Sequence, residues 1–166
     1  CSTSKSFIME ATMKENFIKK ITIKDLNNCG YISDIDGLKK FKSITLSKPI
    51  TFFSRENGTG KSTLLEAIAV KLGFNPEGGS KNFNFSTKIT HSDLHNYITL
   101  SKSTRLATDG FFLRAESFYN LATYAEDIDL NFSEYGDKPI HKQSHGESFL
   151  NLVNYRFRGN GLYLLD

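Results

Sequence analysis

Apolar residues along the chain gather into short blocks set apart by polar and glycine-rich stretches. Phe17-Ile-Lys-Lys-Ile-Thr-Ile23 has a strand-like pattern, and Phe41, Ile44 and Leu46 suggest a second strand. Pro49-Ile-Thr-Phe-Phe53 reads as a third, buried strand, and Leu64-Leu-Glu-Ala-Ile-Ala-Val-Lys-Leu72 reads as a helix. Asn75 to Ser86 carries Pro, Gly and Asn and reads as loop. Thr90-His-Ser-Asp93 looks like a helix start, with Leu94, Tyr97 and Ile98 lining one face of that helix. Gly110 then introduces the strand-like Phe111-Phe-Leu-Arg-Ala115, and Phe118 to Ile128 returns to helical spacing. The chain closes on Gly161-Leu-Tyr-Leu-Leu-Asp166, an apolar strand ending in aspartate.

Between the third strand and the first helix lies Arg55-Glu-Asn-Gly-Thr-Gly-Lys-Ser-Thr63. Strand, glycine loop, lysine, hydroxyl and helix in that order form the context expected of a phosphate-binding P-loop. Gly58 and Gly60 let the backbone turn its N–H groups inward around phosphate oxygens, and the helix N-terminus adds a positive dipole end. Lys61 would reach the β- and γ-phosphates, and Ser62 would offer its hydroxyl to Mg²⁺. The bland alternative is a glycine-rich strand-to-helix turn with no ligand. One position departs from the G-x-x-x-x-G-K-[ST] pattern: Arg55 stands where glycine belongs. The expectation is that Arg55 strains or reshapes the loop, so that Arg55→Gly tightens nucleotide binding.

At 166 residues and 39% apolar content, the chain suffices for one well-cored domain. The expected organisation is a disordered or non-native leader over residues 1–12, rich in Ser and Thr, then a domain over 13–166 that begins at Met13. The net charge of +3 offers no basic stripe, so nucleic acid is not indicated. Cys1 and Cys29 make no metal-ligand spacing. No apolar run approaches the roughly 20 residues of a membrane span. A domain working on ATP is expected in the cytoplasm.

A second motif precedes the periodic apolar stretch Phe149, Leu150, Leu152, Val153 and Phe157. Taken alone, Ser144-His-Gly-Glu147 is a capping box, in which Ser144 accepts from the Glu147 amide and Glu147 reaches back to that of Ser144. A third, the apolar strand ending in Asp166, has the form of a Walker B segment whose aspartate binds the P-loop Mg²⁺. An ordinary core strand meeting a turn would look the same.

In sequence, a P-loop, a Ser-x-Gly-Glu helix start and an apolar strand with Asp resemble the ATP-binding-cassette ATPases and their structural-maintenance relatives. Ser144, Gly146 and Glu147 match that superfamily's signature, while Gln143 and His145 depart from it. The stretch from Asn75 through Ser117 looks like a subgroup of small bacterial proteins labelled AAA-family or predicted ATPases. The resemblance implies an α/β fold: a P-loop NTPase sandwich with a cassette-type core sheet and flanking helices. It implies ATP and Mg²⁺ as ligands, with Arg55, Glu56, Asn57, Gly58, Thr59, Gly60, Lys61, Ser62 and Thr63 around the phosphates. It also implies a homodimer sandwiching ATP, the Ser144–Glu147 helix start of one subunit facing the γ-phosphate in the other. A capping helix N-terminus suits that role, since its N–H groups and dipole attract phosphate.

The interval between Lys61 and Ser144 holds no heptads, so a compact cassette is favoured over one with long coiled-coil arms. The family's Mg²⁺-sensing glutamine has no clear counterpart, and Glu116 sits nearest that role. The chain stops at Asp166, ahead of the glutamate and switch histidine that the family places later. The expectation is therefore a domain whose C-terminal part is missing and whose turnover, through Lys61 and Asp166, is weak or absent. Two other readings stand beside the ATPase. One is a catalytically inactive nucleotide-binding or interaction module. The other is a small-molecule kinase with Arg105 or Arg114 as lid arginines.

Overall fold

The computed structural model describes residues 16–26, 29–80, 92–114, 154, 157 and 159–166. In chain order they form β1 (Ile18–Ile23), a 3-10 turn (Gly30–Asp34), α1 (Asp36–Lys39), β2 (Ser43–Thr45) and α2 (Lys61–Leu72). Then follow β3 (Gly79–Ser80), α3 (Leu94–Tyr97), β4 (Ile98–Lys102), β5 (Asp109–Leu113) and β6 (Gly161–Leu165). The result is a mixed α/β fold with two small sheets.

The first sheet has the order β2-β1-β4, with both pairings antiparallel. In β1, Ile18, Ile21 and Ile23 are buried while Lys19 and Lys20 are exposed. Strict alternation would put Ile18 and Ile21 on opposite faces. A register shift against β4 between Ile18 and Lys20 inserts the extra residue that returns Ile18 to the core side.

The second sheet has the order β3-β5-β6. Its β5 runs antiparallel to β3 and parallel to β6, in the register Phe112↔Leu164. Phe111, Phe112 and Leu113 are consecutive and all buried, as a strand covered on both faces requires. Gly110 lets this strand approach its neighbours closely: a Cβ there would lie 2.8 Å from Phe74 Cζ and 2.9 Å from the Leu162 carbonyl oxygen. Gly110→Ala should therefore cost about 1–2 kcal/mol through overpacking, read as a lower thermal midpoint. An unchanged midpoint would show that the Phe74 ring gives way freely.

Helix α2 joins the two sheets. Leu64, Leu65, Ala67, Ile68 and Ala69 are buried, and the helix packs against α3, β4 and β6. A helix buried this broadly derives its stability from packing rather than from an amphipathic stripe. Gly73 ends it in the left-handed conformation, and the Phe74 amide bonds back to the Ala69 carbonyl at 3.0 Å. That is the Schellman pattern, sealed by buried Phe74.

Two expectations fail here. Residues 50–53 form no strand: they carry no ladder with any described residue, and Ile50 and Phe52 are 71% and 88% exposed. The helix anticipated from Asp93 onward lasts a single turn, α3, and Ile98 opens β4 instead. The alternating Ile98-Thr-Leu100 segment pairs with the free side of β1, and that long-range ladder prevails over helical spacing. Within the loop expected from Asn75, Gly79 and Ser80 form the short β3. The helix expected over Phe118 to Ile128 lies outside the described residues.

Candidate functional site: a glycine loop at the start of the central helix

The glycine loop turns sharply into α2. Gly58 and Gly60 have φ of +79° and +89°, a region that side-chain-bearing residues rarely adopt. The first intrahelical bond runs from the Leu64 amide to the Gly60 carbonyl at 2.9 Å. Amides at the first positions of a helix have no intrahelical acceptor, so those of Lys61, Ser62 and Thr63 face the loop end. Three donors and the positive helix end thus share one solvent-open place.

Lys61 folds back over this loop. Its Nζ donates to the carbonyls of Arg55 at 2.8 Å and Glu56 at 2.9 Å. The Thr59 hydroxyl donates to the same Glu56 carbonyl at 2.8 Å. The Lys61 ammonium and the Thr59 hydroxyl thus tie the loop's Arg55 and Glu56 carbonyls to the start of α2. Arg55 serves here through its backbone carbonyl, a group that glycine also carries, and its side chain is exposed. The positive φ values of the loop fall on Gly58 and Gly60, so no left-handed strain at Arg55 supports a gain from glycine, and Arg55→Gly should keep the Lys61 anchor and bind ATP much as wild type does. Weaker binding would instead mark the Arg55 side chain as a phosphate contact.

A buttress that the sequence reading missed lies behind the loop. α1 and Ile35 just ahead of it pack against Thr59 and Gly60. A Cβ on Gly60 would meet Ile35 Cγ2 at 2.8 Å and Leu38 Cγ at 3.1 Å, and one on Gly37 would collide with the Thr59 carbonyl. Ile35-Asp-Gly-Leu38 carries a glycine within an apolar pair, the only advance sign, and a lone glycine there reads as an ordinary turn.

Asp166 is exposed and continues the parallel ladder, its amide donating to the Leu113 carbonyl at 2.9 Å. It therefore sits at the carboxyl end of β5 and β6. Among the described residues β6 pairs with β5 and not with residues 50–53. Contact with the loop helix comes instead through the packing of α2 against β6. The residues Ser144, Gly146, Glu147 and Glu116 lie outside the described residues. Arg105 stacks over the Phe17 ring at 4.3 Å and bonds Asn160 through Nε, while Arg114 pairs with Glu66. Both arginines are engaged by these partners within the fold.

Among the described residues no three His, Cys, Asp or Glu side chains gather as a metal cage. Mg²⁺ of the nucleotide-borne kind needs none, since it is held by one or two protein oxygens and the phosphates. A Ser62 hydroxyl and an Asp166 carboxylate are hard oxygen donors of the kind that ion takes. Among the described residues no helix is long and apolar enough to cross a membrane.

The family model for the AAA domain matches residues 20–152, and the chain belongs to that family, a nucleotide-binding, ATPase-type class. The match takes in the glycine loop, α2 and the Ser144–Glu147 stretch, and ends ahead of β6. No curated protein and no solved structure matches the chain at a significant level.

Proposed function

We propose that the chain is an ATP-binding, ATP-hydrolysing domain of cassette-like AAA type, with Mg²⁺ as the accompanying ion. The observation that carries this is the closed knot of the glycine loop. Two positive-φ glycines and an ammonium on two loop carbonyls sit at the start of a twelve-residue helix. Phosphate entering here would meet the first-turn amides of α2, the positive helix end and the Lys61 charge. Lys61 holds the loop and neutralises phosphate charge, while Ser62 and Asp166 supply oxygens to Mg²⁺. That ion, when bound, offsets the charge that develops on the phosphates.

The remaining assignments extend this reading. Ser144, Gly146 and Glu147 would face the γ-phosphate of a second copy, so the working form is a homodimer closed on ATP. Glu116 would stand near the ion, and the domain would act in the cytoplasm. The test is phosphate release by the chain in Mg²⁺ and in EDTA, beside ATP binding under the same conditions. Release that depends on Mg²⁺ and on Lys61 supports the reading. ATP binding without any Mg²⁺-dependent release would leave a nucleotide-binding module in its place.

A further inference from the structure

The loop helix carries a buried charge that phosphate binding does not use. Glu66 is 9% exposed, and its two carboxylate oxygens go to different parts of the fold. Oε1 accepts from the Ser92 amide at 2.9 Å, just ahead of α3, and Oε2 accepts from Arg114 Nη1 at 2.8 Å. The same Nη1 reaches the Pro76 carbonyl at 3.3 Å, in the turn after α2. Replacing such a buried pair by apolar residues is often neutral or better for stability, so packing alone does not account for it.

Its position supplies another reason. Glu66 follows Ser62 by four residues, which places both on one side of the helix, a turn apart. Arg114 directly follows Leu113, whose carbonyl holds the Asp166 amide. The pair therefore ties the side of α2 that bears Ser62 to the strand end that bears Asp166. The planar fork of Arg114 fixes direction as well as distance, which a flexible lysine does less well.

We propose that the Glu66–Arg114 pair is a positioning device of the nucleotide site. It holds the carboxyl ends of β5 and β6 against α2, so that Ser62 and Asp166 meet one divalent cation. This rests on the nucleotide-binding reading above. The pair touches neither phosphate nor ion, and its effect appears in how strongly Mg²⁺ improves ATP binding.

The experiment measures the affinity of a fluorescent ATP analogue in EDTA and in Mg²⁺ for wild type, Arg114→Met, Arg114→Lys, Glu66→Gln and Lys61→Ala. Losing an outer-shell partner typically costs about 10–100-fold in metal affinity. Arg114→Met and Glu66→Gln should therefore lose about tenfold or more of the Mg²⁺-dependent gain, with EDTA affinity within about twofold of wild type. Arg114→Lys should recover part of the gain. Parallel losses in EDTA and Mg²⁺, or an unchanged gain, would overturn the proposal. Should Arg114→Met fail to fold by circular dichroism, Glu66→Gln and Arg114→Lys decide by the same ratio. Equal binding by wild type and Lys61→Ala would instead sink the nucleotide reading itself.

Discussion

Lys61→Ala should lose Mg-ATP binding almost completely while far-ultraviolet circular dichroism stays as in wild type. The ammonium of Lys61 sits on the Arg55 and Glu56 carbonyls, at the mouth of the loop where phosphate would arrive. Charge-assisted hydrogen bonds contribute about 1.5–3 kcal/mol each, so losing two of them weakens binding about 100-fold or more. The fold has no comparable stake in this side chain. The helix is anchored by Leu64, Leu65, Ala67, Ile68 and Ala69, and alanine is the best helix former at the vacated position. Wild-type affinity in the variant would refute the site assignment.

Gly37→Val should damage the loop from behind. Gly37 belongs to α1, and a Cβ there would strike the Thr59 carbonyl and lie 3.1 Å from Thr59 Cβ. The glycine is required for space rather than for an unusual φ. Valine would push Thr59, and with it the Glu56 carbonyl that both Thr59 and Lys61 hold. Overpacking of this kind costs about 2–3 kcal/mol of stability, and displacement of the loop should weaken ATP binding by about tenfold or more. Gly37→Ala should show a smaller form of both effects. A Gly37→Val protein with wild-type thermal midpoint and wild-type affinity would remove α1 from the account of the site.

The parts legible in the sequence were those whose physics is local. The α2 helix could be read because its loop, its run of good helix formers and Gly73 all agree. The strands at β1, β5 and β6 announced themselves by dense apolar residues, and β2 by the spacing of Phe41, Ile44 and Leu46 around it. Residues 50–53 have the same composition, yet a strand exists only where partners supply a ladder, and none of the described residues does so. Ile98 illustrates the converse: its helical spacing from Leu94 was real, but the open side of β1 claimed it. Glu66 could not be found in advance. A glutamate within a helix is ordinarily solvated, and only the distant Arg114 and Ser92 reveal that this one is buried and shared.

The central claim is that phosphate is held by the glycine loop and the first turn of α2. Amide chemical shifts of nitrogen-15-labelled chain, followed during titration with Mg-ATP, test it residue by residue. The account predicts that the largest changes fall on Gly58, Gly60, Lys61, Ser62 and Thr63, with those of β1 and β2 little moved. Saturating changes centred on other residues, or none at the loop at millimolar Mg-ATP, would contradict it.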